Sequence, residues 1–220
     1  NSLFISYTKN ITSLSGFDNS KLYLNFEKDN LELGLFTFLA EKLYEQNKLT
    51  LFLSHTKRDS IGEKIARDYA VYLQQNTKLK SFIDINDISY SSDIKKDIDT
   101  NLENSIFVGF ESDGYSDSKW TQYEIVEAKE RNIPIILIDC IEKKVGRRFP
   151  YLGNSLILSN NTIEENLKFI LIEAVRLKIN QNKMLFFKSL YNYPNTKFLN
   201  NAPELLDIQL IEEEIIIYPE

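Results

Sequence analysis

From Leu49 onward the apolar positions switch between two periods, again and again. Leu49-Thr50-Leu51-Phe52-Leu53 is a short apolar run closed by polar residues, and such a run predicts a buried strand. Ile61, Ile65, Tyr69 and Leu73 then recur at a spacing of four, which places them on one face of a helix. Lys80 to Ile85 predicts a second strand, and Ile94, Ile98 and Leu102 mark the helix after it. Ile106-Phe107-Val108-Gly109-Phe110 is the third strand, followed by a Gly114 break and a helix that Asp117 or Ser118 is placed to cap. Ile133 to Ile138 is the fourth, with Pro134 at a position where strands tolerate proline. A loop from Phe149 to Asn154 leads to a fifth, Ser155 to Leu158. Thr162 can cap a last helix whose apolar positions are Ile163, Leu167, Ile170, Leu171, Ala174, Val175 and Leu177. Strand and helix alternating five times predicts an α/β fold, a mostly parallel five-stranded sheet with helices on both faces.

The flanks are less regular. Apolar residues at 35, 36, 39, 43 and 44 predict an amphipathic helix between Leu31 and Gln46. Before it, Leu3 to Tyr7 is a short apolar run in an otherwise Ser/Asn/Lys-rich stretch with little periodicity, to which no chemistry attaches. After the last helix, Met184-Leu185-Phe186-Phe187 is compatible with extending it, Asn192 to Pro203 reads as loop, and Ile215 to Tyr218 reads as a strand. The expected organisation is an N-terminal extension over 1–47, a domain over 48–179, and a C-terminal extension over 180–220 leading towards a further domain. The chain opens on Asn1 instead of Met, so its start is expected to lie upstream.

Charge and composition remove several function classes. The 220 residues carry a formal net charge of −6 with both signs interspersed, which argues against a nucleic-acid binder with a basic face. One cysteine, Cys140, excludes an internal disulfide and suits a reducing, cytoplasmic setting. It ends an apolar run and reads as an inert, half-buried thiol. No apolar stretch is long enough to span a membrane, and no signal-peptide pattern is present. The seven glycines form neither a dinucleotide-binding fingerprint nor a P-loop. With one histidine and one cysteine there is no zinc site of ordinary spacing, and no metal or cofactor is expected. His55 has no Ser/Asp arrangement of triad type around it. Lys57 and Arg58 form a basic pair that suits phosphates, although such pairs are more often merely solvated.

One stretch is chemically odd. On the helix after the third strand, Trp120, Glu124 and Ala128 are spaced four apart and share a face, so an acid lies on a stripe that should meet the core. Carboxylates are rarely buried without a partner or a task. Either Glu124 sits at the edge of the stripe, wet or else paired with Lys119 or Lys129, or it faces a ligand crevice. The helix starts just after a strand, and α/β sheets bind ligands at the carboxyl ends of their strands.

Taken in order, these segments resemble a bacterial TIR (Toll/interleukin-1 receptor) domain over roughly residues 49–178. The matching pieces are Phe52-Leu53-Ser54-His55 with Asp59, Phe82-Ile83-Asp84 followed by Asp87-Ile88, and Tyr115-Ser116 with Ser118-Lys119-Trp120. Trp120 and Glu124 then match the motif that carries the catalytic glutamate, and Ile133-Pro134 and the loop from Phe149 to Asn154 resemble bacterial members. Two positions depart from the pattern. Tyr90-Ser91-Ser92-Asp93 stands where a glycine is usual, and Thr121 where a cysteine commonly follows the tryptophan.

The resemblance implies a flavodoxin-like three-layer fold and an NAD⁺ glycohydrolase with NAD⁺ as substrate and no cofactor. It implies Glu124 as catalytic residue, with Ser54, His55, Thr56, Lys57, Arg58, Phe82, Ile88, Tyr115 and Trp120 as substrate-binding residues. The products would be nicotinamide and ADP-ribose or a cyclised form. It also implies self-association and a role in bacterial antiphage defence; the polar loop from Asn86 to Ser92 lacks the usual glycine and carries Tyr90, so a neighbouring protomer is expected to hold it. Two alternatives stay open: a non-enzymatic TIR–TIR interaction module, and a nucleoside hydrolase or transferase of related architecture.

Overall fold

The computed structural model describes residues 3–6, 22–25, 31–44, 49–77, 79–83, 98, 100–103, 105–143, 148–191, 194–204, 206–207 and 215–219. Its centre is a five-stranded parallel sheet built from β3 (Thr50–Ser54), β4 (Lys80–Ile83), β5 (Ser105–Glu111), β6 (Ile135–Asp139) and β7 (Leu156–Ser159). They lie in the order β4-β3-β5-β6-β7. Counted within the sheet this is 2-1-3-4-5, the order of the flavodoxin-like doubly wound fold. The chain is therefore α/β with three layers, as its periodicity predicts.

The middle strands are buried on both faces, which is why they read as unbroken apolar runs. Every residue of β5 is buried. Alternate residues then serve two cores. Ile106, Val108 and Phe110 meet Leu51, Leu53, Ile136 and Ile138 beneath α2 (Ser60–Asn76) and α4 (Ile163–Leu190). Phe52, Phe107, Ile135 and Leu137 face the other way, against Ile125 and Ala128 of α3 (Lys119–Glu130) and against Ile98 and Leu102.

The flanking segments join this body. α1 (Leu31–Leu43) packs on α4, with Ala40 fully buried and Tyr44 donating from its hydroxyl to the Ala174 carbonyl at 3.2 Å. α4 is capped by Thr162, which accepts from the Glu165 amide at 3.3 Å, and runs without a break through Met184–Phe187. β1 (Leu3–Ser6) and β2 (Leu22–Asn25) form a parallel pair. β9 (Ile215–Ile217) pairs in parallel with β8 (Thr196–Phe198). β8 corrects the loop reading of Asn192 to Pro203, since three residues are too few to show a period. Behind β8 the chain returns to the end of α3, where Lys129 and Glu204 form a largely buried ion pair at 2.7 Å.

Candidate active site

The carboxyl ends of β3 and β5 converge on one hydrogen-bonded group. Ser54, the last residue of β3, stands beside Gly109 of β5 in the parallel register. Its Oγ donates to Glu124 Oε2 at 2.5 Å and lies 2.9 Å from the hydroxyl of Tyr115. A serine hydroxyl has one proton to give. With that proton directed at Glu124, Ser54 accepts from Tyr115, and the chain runs Tyr115 to Ser54 to Glu124. All three are buried, Glu124 at 2% exposure. The wet-edge alternative for Glu124 is thereby excluded, and Lys129 is engaged by Glu204 instead.

Gly109 makes this convergence possible. A methyl group built on it would lie 2.5 Å from Tyr115 Oη and 2.8 Å from Leu137 Cδ2. The bare backbone at 109 is the space into which the tyrosine hydroxyl fits. Burial, and next the negative charge of Glu124, push the Tyr115 phenol well above its ordinary value, against the opposing effect of its hydrogen bond to Ser54. Tyr115 therefore stays protonated and acts as a donor. Its backbone is pinned too, because Thr121 Oγ1 lies 2.5 Å from the Tyr115 carbonyl and 2.9 Å from that of Ser118. Thr121 thus has a structural task at the position where the resemblance leads one to expect cysteine. Ser118 occupies the N-cap position of α3 but makes no side-chain capping bond, contrary to the sequence reading. Thr121 and Gln122, which donates to the Ser116 carbonyl at 2.8 Å, secure that helix start in its place.

The other expected site residues lie around this group. His55 and Thr56 are buried just past β3, and Thr56 Oγ1 accepts from the Arg58 amide at 3.2 Å. Lys57 and Arg58 are exposed at the mouth of the same loop. Trp120 is half-buried at the head of the Glu124 stripe, its ring 5.9 Å from that of Tyr123. Phe82 is half-buried on β4, its ring 5.2 Å from that of Phe52, the side chain two residues before Ser54. Ile88, Tyr90 and the whole loop from Asn86 to Ser92 lie outside the described residues. So do Ile94 and the later part of the second strand, Asp84 and Ile85.

A second carboxylate, missed in the sequence, ends β5. Glu111 follows Gly109 on the same sheet face and is 1% exposed. Arg148 Nε lies 3.1 Å from Glu111 Oε1, and Arg148 also reaches Asp139, the residue paired with Glu111 in register. The signal was present in the sequence as an acid closing the apolar run from Ser105 to Phe110. Burial raises the Glu111 carboxyl above its ordinary value; Arg148 opposes this, and Asp139 adds to it.

That balance gives stability a pH dependence of defined sign. A carboxyl whose value is raised on folding holds its proton more tightly in the folded chain, so stability declines as pH climbs from the ordinary carboxylate range through the raised value. Removing Arg148 raises that value further and deepens the decline. Arg148→Met is therefore expected to cost about 1–3 kcal/mol near pH 7.5, the scale of a buried group left without its partner, and much less at pH 5. Equal losses of melting temperature at the two pH values would show that Arg148 does not hold Glu111 ionised.

Among the described residues no cluster of His, Cys, Asp and Glu has the form of a metal site. Cys140 is buried and its thiol is pushed up to about 12, first by burial and then by Asp139, Asp59 and Glu111, so it is not poised as a nucleophile. No described helix is long and apolar enough to cross a membrane. The chain matches no protein-family model and no curated protein sequence.

Proposed function

We propose that the chain is an NAD⁺ glycohydrolase of TIR type, cleaving the bond between nicotinamide and ribose with Glu124 as the catalytic carboxylate. The observation that carries this reading is a buried carboxylate at the carboxyl edge of the sheet, with one oxygen tied to Ser54 Oγ. Nicotinamide in NAD⁺ is already cationic and leaves as a neutral molecule, so departure needs no general acid. The site has to supply negative charge beside the oxocarbenium ion that develops on the ribose, as in sugar hydrolysis. A carboxylate whose direction is fixed by a neighbouring hydroxyl suits that task, because it does not have to reorganise as the charge appears.

The surrounding residues take the remaining roles in this reading. Lys57 and Arg58 meet the diphosphate, Thr56 and His55 border the ribose, and Trp120 and Phe82 wall the apolar side. Water or an internal nucleophile captures the cation, giving nicotinamide with ADP-ribose or a cyclised form. A TIR module that only assembles complexes has no use for an acid in this position. The resemblance adds action as an effector of antiphage defence, triggered by a sensor domain or partner.

The test is incubation of the purified chain with NAD⁺ and measurement of free nicotinamide, alongside a panel of free nucleosides. Nicotinamide release from NAD⁺ alone supports the reading. Cleavage of free nucleosides in preference to NAD⁺ would replace it with a nucleoside hydrolase, and no cleavage under any condition of assembly would favour the interaction module. Self-association is part of the same proposal. Turnover per protomer is expected to rise steeply between nanomolar and high micromolar protein, or on fusion to an oligomer. Constant specific activity over that range, with no oligomer formed, would mean that each protomer carries a complete site.

A further inference from the structure

We infer that Asp59 is a positioning residue that locks the phosphate-facing loop of the site onto the turn leading to Tyr115. This inference rests on the proposed NAD⁺ reading for its kinetic consequence, but its geometry stands independently. Asp59 is the N-cap of α2, where Oδ1 accepts from the Gly62 amide at 3.3 Å. Capping accounts for only one of its oxygens. Oδ2 turns away from α2 and accepts from Ser112 Oγ at 2.8 Å and from the Gly114 amide at 3.1 Å. One carboxylate therefore joins the β3–α2 loop to the β5–α3 turn, over a sequence separation of more than fifty residues.

The two loops are also in close steric contact at this point. A methyl group built on Gly114 would lie 3.0 Å from Arg58 Cβ and 3.3 Å from Asp59 Oδ2. Gly114 lets the turn lie flat against Arg58, and Asp59 holds it there. Arg58 and Lys57 are exposed, while the start of their loop is held by the buried His55 and Thr56, Thr56 Oγ1 accepting from the Arg58 amide at 3.2 Å, so Asp59 is the strut at the loop's other end. Tyr115 and Glu124, in contrast, are held by Thr121, Ser54 and the space over Gly109. Removing the Oδ2 contacts should thus displace the cationic end of the site and leave the carboxylate end in place.

Kinetically, that is a loss of binding shared by substrate and transition state, which raises KM and spares kcat. A purely structural role for Asp59 would lower the apparent kcat and the melting temperature and leave KM unchanged. Asp59→Ser separates the two functions, because serine is a good N-cap yet is too short to reach Ser112 and Gly114 as well. Ser112→Ala removes one strut without touching the cap. For Asp59→Ser the expected result is a KM for NAD⁺ raised about tenfold, the order of losing hydrogen bonds to a charged group, with kcat within about threefold and a modest fall in melting temperature, because the cap is kept but the buried Ser112 hydroxyl loses its acceptor. Ser112→Ala should move KM in the same direction by less.

Hydrogen exchange at the Gly114 amide gives a readout that needs no turnover, and it should speed up in Asp59→Ser. Unchanged KM and unchanged exchange in Asp59→Ser would overturn the inference, as would a loss confined to kcat. If the wild-type chain releases no nicotinamide, the NAD⁺ reading falls. Exchange at Gly114 then decides whether Asp59 is a bracket between the loops, and unaltered protection there would overturn that too.

Discussion

Glu124→Gln should leave the chain folded and lower nicotinamide release by at least ~10²–10³-fold, the usual cost of removing one preorganised electrostatic group from a transition state. Glutamine keeps the length and shape of the side chain, and its carbonyl oxygen can still accept from Ser54 Oγ at the position now held by Oε2. What the substitution removes is the negative charge, and in the proposed reaction that charge is what the ribosyl cation meets. The effect should therefore appear in kcat, with the melting temperature close to that of the wild type. Two other acids on or near α3 serve as controls. Glu127 lies three residues on and pairs with Arg131 at 2.9 Å on the helix surface, so Glu127→Gln should stay within about twofold, as surface ion pairs contribute little. Glu111→Gln should alter stability and its pH dependence more than turnover, since its carboxylate is turned to Arg148. Full activity in Glu124→Gln, or inactivity confined to Glu111→Gln, would assign the chemistry to the wrong carboxylate.

Much of this arrangement could be read from the sequence, for physical reasons that also mark where the reading stops. β3, β5 and β6 were legible because a parallel strand covered on both faces has no polar side to interrupt it. α2 was legible from Ile61, Ile65, Tyr69 and Leu73, and the structure buries Tyr69 and Leu73. β2 and β8 were missed because four and three residues cannot show a period against their polar surroundings. Glu124 stood out because an acid shared a stripe with Trp120 and Ala128. Its link to Ser54 did not, since it spans 70 residues and depends on the register that sets Ser54 beside Gly109. Side-chain spacing reports which residues share an element's face, and it carries nothing about which two elements meet. Glu111 shows the same limit from the other side: an acid ending a strand is unremarkable until the partner strand brings Asp139 and Arg148 to it.

Gly109→Ala tests that register directly and should be the most damaging added methyl among the described glycines. The added Cβ would sit 2.5 Å from Tyr115 Oη and 2.8 Å from Leu137 Cδ2, well inside contact distance. Both neighbours are fully buried, so neither can swing into solvent. Overpacking of this kind costs about 1–3 kcal/mol. The functional cost should exceed the structural one, because the tyrosine hydroxyl that has to move is the one that meets Ser54, and Ser54 is what orients Glu124. Turnover should fall by more than tenfold, the equivalent of about 1.4 kcal/mol in the barrier. A double substitution identifies the cause. Tyr115→Phe deletes the Oη and leaves the ring, whose Cζ would still lie 3.1 Å from the new methyl. Combined with Gly109→Ala it should recover part of the lost stability, a non-additive result expected of side chains in contact. Turnover should not recover, since the donor to Ser54 is absent in both variants. Urea melts of the four proteins in the cycle, with nicotinamide release measured on each, supply both readings. If the two single losses of stability simply add, the methyl at 109 does not press on Tyr115. If Gly109→Ala turns over like the wild type, the Tyr115–Ser54–Glu124 chain does not govern the reacting carboxylate.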